Sequence, residues 1–178
     1  MVRIIVSGSR PRTGKTALIL RMIAEFPGFA VIQVKTGGLF SSVIAEPHGD
    51  EADHFRKNGA GHVLSIEADA RDYADAIDQA LCLVPFDIKV VIVEAYPYPE
   101  GVHGDVLIFM TDRIHTAVIP GEGNHTVMVD ILEAIPDEKR ANAVQYPLFN
   151  LHLMNNDPEE WARFMAYLRG LISRTETE

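Results

Sequence analysis

Near the start of the chain, Gly8-Ser9-Arg10-Pro11-Arg12-Thr13-Gly14-Lys15-Thr16 follows one apolar run, Val2 to Val6, and precedes another, Ala17 to Ile23. Strand, glycine-bounded loop and helix in that order form a phosphate-binding P-loop. A polyphosphate needs several backbone N–H groups aimed at one anion, a helix N-terminus behind them and a cation in front. Lys15 supplies the cation. Thr16 completes G-x-x-x-x-G-K-[ST], which sets its hydroxyl on a Mg²⁺ that bridges the phosphates. Ser9, Arg10, Arg12, Thr13, Gly14, Lys15, Thr16 and Ala17 are therefore candidate nucleotide-binding residues. The loop departs from the motif at three positions. Ser9 fills the first glycine slot, with Gly8 one residue early, and Pro11 removes an N–H donor. Arg12 stands where glycine is common, so a left-handed φ there would cost roughly 1 kcal/mol or more.

The 178 residues make one domain with room for a substantial core. A net charge of −9 and the lack of any basic stripe exclude a nucleic-acid partner, whose phosphates call for clustered Lys and Arg. No signal peptide is seen at the N-terminus and no apolar stretch nears the roughly 18 residues of a membrane span, so no membrane association and a cytoplasmic location are expected. The single cysteine, Cys82, excludes an internal disulfide; set among Ala80, Leu81 and Leu83, it reads as a small buried hydrophobe.

Runs of Val and Ile at Ala30–Val34, His62–Ile66, Lys89–Val93 and Val106–Met110 alternate with helical stretches. Continuous apolar runs suit strands covered on both faces, hence a mainly parallel sheet with helices on either side. The first helix, from Lys15 to about Phe26, is apolar nearly all round except for Arg21 and Glu25, which are spaced to pair with each other. A second, from about Arg71 to Leu83, presents Tyr73, Ala76, Ile77, Ala80 and Leu81 on one face. His115–Ile119 and His125–Ile131, joined by Gly121-Glu122-Gly123-Asn124, read as a hairpin, an antiparallel edge or arm. In the last helix Asp157 is the expected cap, Pro158 opens the first turn, Glu160 completes a capping box, and Trp161, Phe164, Met165, Leu168 and Leu171 form a core stripe. The expected fold is α/β, a three-layer P-loop NTPase fold with a β-hairpin extension. One domain spans residues 1–172, with 113–145 an insertion or hairpin region and 173–178 a flexible tail.

Two further segments carry a resemblance. Gly49-Asp50-Glu51-Ala52-Asp53-His54-Phe55-Arg56-Lys57-Asn58-Gly59-Ala60 resembles the "G-K-D-S-(aromatic)…R-x-x-G-A" segment of the molybdopterin-guanine dinucleotide biosynthesis protein B (MobB) family. Val91-Ile92-Val93-Glu94-Ala95-Tyr96 is similar to that family's "V-x-x-E-G-(aromatic)" strand end. With the P-loop, the likeness covers roughly residues 2–112 and resumes weakly at Pro147–Leu168. It implies a SIMIBI-class P-loop fold and a homodimeric GTP-binding protein that assists attachment of a nucleotide to molybdopterin, beside a nucleotidyltransferase partner, or delivers the finished cofactor. It assigns phosphate and Mg²⁺ binding to Gly14, Lys15 and Thr16, and gives Glu94 the role of the acidic strand-end residue and Glu51 that of the family's aspartate. Lys15, Glu94 and Arg10 are the catalytic candidates, and Thr16, Glu94 and Glu51 the metal candidates. The family's lysine and serine are Asp50 and Ala52 here, its glycine after the glutamate is Ala95, and no asparagine-lysine-x-aspartate motif for guanine is present. Asp112, after Val106–Thr111, is the candidate base-reading carboxylate.

Glu94 also makes sense from the residues alone, since a carboxylate just past a buried strand beside a P-loop orders Mg²⁺ or its water. Arg10 stands where SIMIBI-class loops often carry a lysine that reaches the partner subunit's phosphates; an arginine there would stabilise charge in trans. His48, His54 and His62 are possible metal ligands, though their spacing fits no compact set. The "T-G-K-T-A-L" of the loop is similar to nickel-insertion GTPases, without their cysteine and histidine signatures. Four functions stay open: a slow GTPase serving molybdenum-cofactor maturation; an ATP-dependent kinase or ligase with Lys35 and Thr36 facing an acceptor; a nickel-insertion-type metallochaperone GTPase; and a scaffold that binds nucleotide without hydrolysing it.

Overall fold

A computed structural model describes residues 1–37, 41–45, 47–99, 101–112, 125–132 and 146–175. The strands are β1 (Val2–Gly8), β2 (Ala30–Thr36), β3 (Ser42–Ala45), β4 (His62–Ala68), β5 (Val90–Glu94), β6 (Val106–Thr111), β7 (His125–Asp130) and β8 (Leu148–Asn150). They form one sheet in the order β3-β4-β2-β5-β1-β6-β7-β8. Every pairing is parallel except β3 with β4. The helices are α1 (Lys15–Glu25), α2 (Asp50–Lys57), α3 (Tyr73–Cys82), α4 (Leu151–Asn156) and α5 (Pro158–Thr175).

Strand residues alternate between two separate cores, which is why the runs are apolar throughout. Ile4, Val6, Val31, Ile92 and Ile108 face α1, α2 and α5, through Ile19, Phe55 and Phe164. Ile5, Ile32, Val91, Val93 and Leu107 face the other way, toward Tyr73, Ile77 and Ala80 of α3. The faces expected for α3 and α5 are the buried ones.

Several local expectations give way to tertiary structure. β7 pairs in parallel with β6 and lies between β6 and β8, inside the main sheet. It is therefore not the arm of an antiparallel hairpin; 115–119 and the 121–124 turn lie outside the described residues, as do most of 113–145. The antiparallel strand is instead β3, four half-exposed or exposed residues at the opposite edge. Arg21 does not pair with Glu25. Its guanidinium donates to the Met154 carbonyl and stacks 3.9 Å from the Trp161 ring centroid. Glu25 meets Trp161 Nε1 at 3.3 Å and Arg169 at 3.6 Å. Packing against α4 and α5 offers both side chains better partners than an exposed pair, which contributes only about 0.2–0.5 kcal/mol. Asp157 caps α5 through Glu159 N–H at 2.9 Å. The capping box does not close, because Asp157 N–H is already held by the Leu153 carbonyl at 2.7 Å and Glu160 turns to Arg163. α5 continues to Thr175, past the expected onset of fraying at Ser173; residues 176–178 lie outside the described residues. Cys82 is exposed at the end of α3, on the side away from the Ala80 and Leu81 stripe.

Candidate functional site

β1 ends at Gly8 and the chain turns at once. A Cβ on Gly8 would lie 2.8 Å from Thr13 Oγ1 and 2.9 Å from the Met110 carbonyl, so only glycine lets the returning loop and β6 come this close. The tight approach is made one residue before the motif's usual glycine. Ser9, in that slot, has its N–H bonded to the Met110 carbonyl at 2.9 Å and unavailable to a phosphate. Arg12 adopts φ 58°, the one positive φ among the described non-glycine residues, which is the strained conformation expected there. Gly14 follows with φ 91° and serves as N-cap of α1 without a side-chain cap, and the first turn of α1 contains no acidic residue. The positive end of α1 is left open to an anion.

Lys15, in that first turn, is buried, and among the described residues its ammonium makes only long bonds, 3.3 Å to Thr13 Oγ1 and 3.4 Å to the Arg10 carbonyl. Burial lowers its pKa from the ordinary 10.5, against the pull of the Glu94 charge. An ammonium so poorly solvated gains more from a phosphate than an exposed one does.

Glu94 closes β5, in register with Val6 of β1 and Gln33 of β2, so three parallel strands converge on it. It is 9% exposed. Thr16 Oγ1 donates to Oε1 at 2.5 Å and Gln33 Nε2 to Oε2 at 3.3 Å. Burial pushes the carboxyl above its ordinary 4.5 and the Glu51 charge adds to this, while the two hydrogen bonds and Lys15 oppose it. With its hydrogen committed to Glu94, the Thr16 hydroxyl keeps oxygen lone pairs for a cation. This oxygen set fits a hard ion such as Mg²⁺, held jointly with phosphate oxygens and water. Among the described residues no group of three or more His, Cys, Asp or Glu side chains converges on a metal position, so His48, His54 and His62 do not build one.

Arg12, Gly14, Lys15, Thr16, Ala17, Glu94 and Tyr96 border a cleft of about 500 Å³ at the C-terminal ends of the strands. Its position matches the rule for open α/β sheets, in which ligands bind beyond the carboxyl ends of the strands. The Tyr96 ring stands 5.4 Å from Lys15 Nζ. Thr36 Oγ1 donates to the Tyr96 carbonyl at 3.1 Å and also shares a short hydrogen bond with the Tyr73 hydroxyl, so the segment after β5 is tied to β2 and α3. A second chamber of about 130 Å³ adjoins the cleft across Lys15 and Glu94, bordered by Gln33, Val34, Lys35 and Glu51.

No family model matches the sequence, and no curated protein matches it. Among solved structures the chain is similar to HypB from Helicobacter pylori, solved in complex with nickel. The TM-score is 0.59 at 14% identity, over 98% of this chain and 88% of that one. The chain has a P-loop NTPase fold.

Within that fold the candidates fall into two groups. Thr13, Gly14, Lys15, Thr16, Ala17 and Glu94 gather at or beneath the cleft. Arg10 turns away from it to pair with Asp112 of its own chain at 3.2 Å, so each is the other's partner. Glu51, in the first turn of α2, borders the second chamber and pairs with Lys35 at 3.4 Å. Two contributors were not among the candidate site residues. Gln33 is a lone polar residue in an otherwise apolar strand run, a signal that was there to be read. Tyr96 reaches the cleft only because the segment after β5 folds back over Lys15, which spacing does not reveal. No helix of the described residues is long and apolar enough to cross a membrane.

Proposed function

We propose that the chain is a GTP-binding accessory protein and slow GTPase that serves the assembly or delivery of molybdopterin guanine dinucleotide. The supporting observation is that the uncapped helix end, the buried Lys15 and the Thr16–Glu94 pair border one cleft. Two of the three segments that resemble the MobB family thus meet there, and the third contributes Glu51 to the adjoining chamber. Lys15 and the loop N–H groups neutralise charge on the phosphates, and Glu94 fixes the Thr16 hydroxyl and orients water on the chamber side. Thr16, together with phosphate oxygens, would hold a Mg²⁺, which when bound would supply further charge neutralisation. Slow turnover on this reading makes the protein a switch rather than a metabolic catalyst. In the cell the reading places the protein as a homodimer beside a molybdopterin nucleotidyltransferase. The likeness to HypB, a protein solved with nickel, supports a nickel-handling variant of the same accessory role.

A second reading is favoured by the 130 Å³ chamber beside Lys15 and Glu94, which has room for a small acceptor next to Lys35. In that case the chain is an ATP-dependent kinase or ligase. Phosphate release from GTP and from ATP, each with Mg²⁺, separates the two. Slow release from GTP, independent of any small molecule added, supports the accessory GTPase. Release only from ATP, rising with an added acceptor, overturns it in favour of the kinase or ligase.

A further inference from the structure

Two arginines leave the loop, and the structure gives them opposite situations. Arg10 is paired with Asp112. Arg12 is exposed, borders the cleft beside Lys15, and has no hydrogen bond or ion pair to any described residue. It also occupies the left-handed position, φ 58°, that glycine would take without strain. Strain of this kind persists where the residue has a use. The loop supplies the use: Pro11 has no N–H and the N–H of Ser9 is held by Met110, so two of its backbone donors are missing. A guanidinium carries five N–H groups in a planar fork that matches phosphate oxygens, and so can stand in for both. The one carboxylate bordering the cleft, Glu94, is engaged by Thr16 and Gln33.

We propose that the side chain of Arg12 is a phosphate ligand supplied in cis, replacing the backbone donors this loop lacks. Arg12, rather than Arg10, is then the guanidinium that the free protein offers to the nucleotide. The proposal rests on the nucleotide-binding reading above and is tested separately from it. Titration calorimetry of Mg²⁺·GTP and Mg²⁺·GDP is run on the full chain, on Arg12→Gly, on Arg12→Lys and on Lys15→Ala, with melting of each nucleotide-free protein.

Arg12→Gly should bind at least one of the two nucleotides about tenfold or more weakly, the loss expected for a hydrogen bond to a charged group. Its melting temperature should hold or rise, because glycine relaxes the left-handed residue. Arg12→Lys should recover part of the affinity. If Arg12→Gly binds both nucleotides within about twofold of the parent while Lys15→Ala fails to bind, the role of Arg12 is overturned and the P-loop reading stands. A lowered melting temperature that accompanies the lost affinity, without recovery in Arg12→Lys, overturns it in favour of a structural role. No binding by the parent overturns both readings.

Discussion

Glu94→Gln should move the stability of the free protein and its response to nucleotide in opposite directions. Burial raises the Glu94 pKa, so the folded state holds this proton more tightly than the unfolded chain does. The sign follows from linkage: stability is greatest below the ordinary value of 4.5 and declines as pH rises through the folded pKa. At neutral pH the buried charge is therefore a net burden. A glutamine keeps an oxygen for Thr16 Oγ1 and meets Gln33 with an amide, at the loss of the Lys15 attraction. We expect stabilisation of about 0.5–2 kcal/mol at pH 7, or roughly 1–8 °C for a chain of this size, shrinking toward pH 4.5. The response to Mg²⁺·GTP should fall. At a hundredfold excess over Kd the ligand stabilises by about 2.7 kcal/mol. If losing the carboxylate costs about 10–100-fold in affinity, the same ligand concentration leaves only about 0.4–1.4 kcal/mol. Differential scanning fluorimetry with and without Mg²⁺·GTP, from pH 4.5 to 8, reads both effects. A variant less stable than the parent at neutral pH, or one with an undiminished nucleotide shift, would refute the reasoning.

Three other substitutions test the frame around the site. Gly8→Ala forces a Cβ against the Met110 carbonyl and Thr13 Oγ1, and should lower stability by about 1–3 kcal/mol in urea denaturation and impair nucleotide binding; an unchanged midpoint and affinity would show that the turn has slack. Phe164→Ala removes a fully buried ring in edge contact with Phe149 at 5.1 Å and should cost about 3–5 kcal/mol by the same measurement. Asn150→Ala deletes the cap of α4, whose side chain accepts from Leu153 N–H and donates to the Leu132 carbonyl. It should cost about 0.5–2 kcal/mol, visible as a lower denaturation midpoint.

The sequence carried the fold because both of its strongest signals are local. Val–Ile runs without alternation mean strands with two covered faces, and the Gly14-Lys15-Thr16 junction fixes where the first helix must start. Glu94 was legible for the same reason, since a charge at the end of a buried run has few other places to be. What could not be read depends on contacts made far along the chain. Arg21 and Glu25 have the right spacing for each other but lie beneath Trp161 and Arg169, more than a hundred residues away. The direction of β7 is set by pairing with β6 and β8, whereas the Gly121-Glu122-Gly123-Asn124 sequence, outside the described residues, had suggested a hairpin. Arg10 and Asp112 were each legible as site candidates; only the meeting of the β1 and β6 ends shows that they hold one another.

The most direct test of the account is titration of Mg²⁺·GTP into the intact protein and into Lys15→Ala. The parent should bind saturably and the variant not at all, because the ammonium that Thr13 and the Arg10 carbonyl hold so loosely is there for phosphate. Equal affinity in the two proteins, or no binding by either, would contradict it.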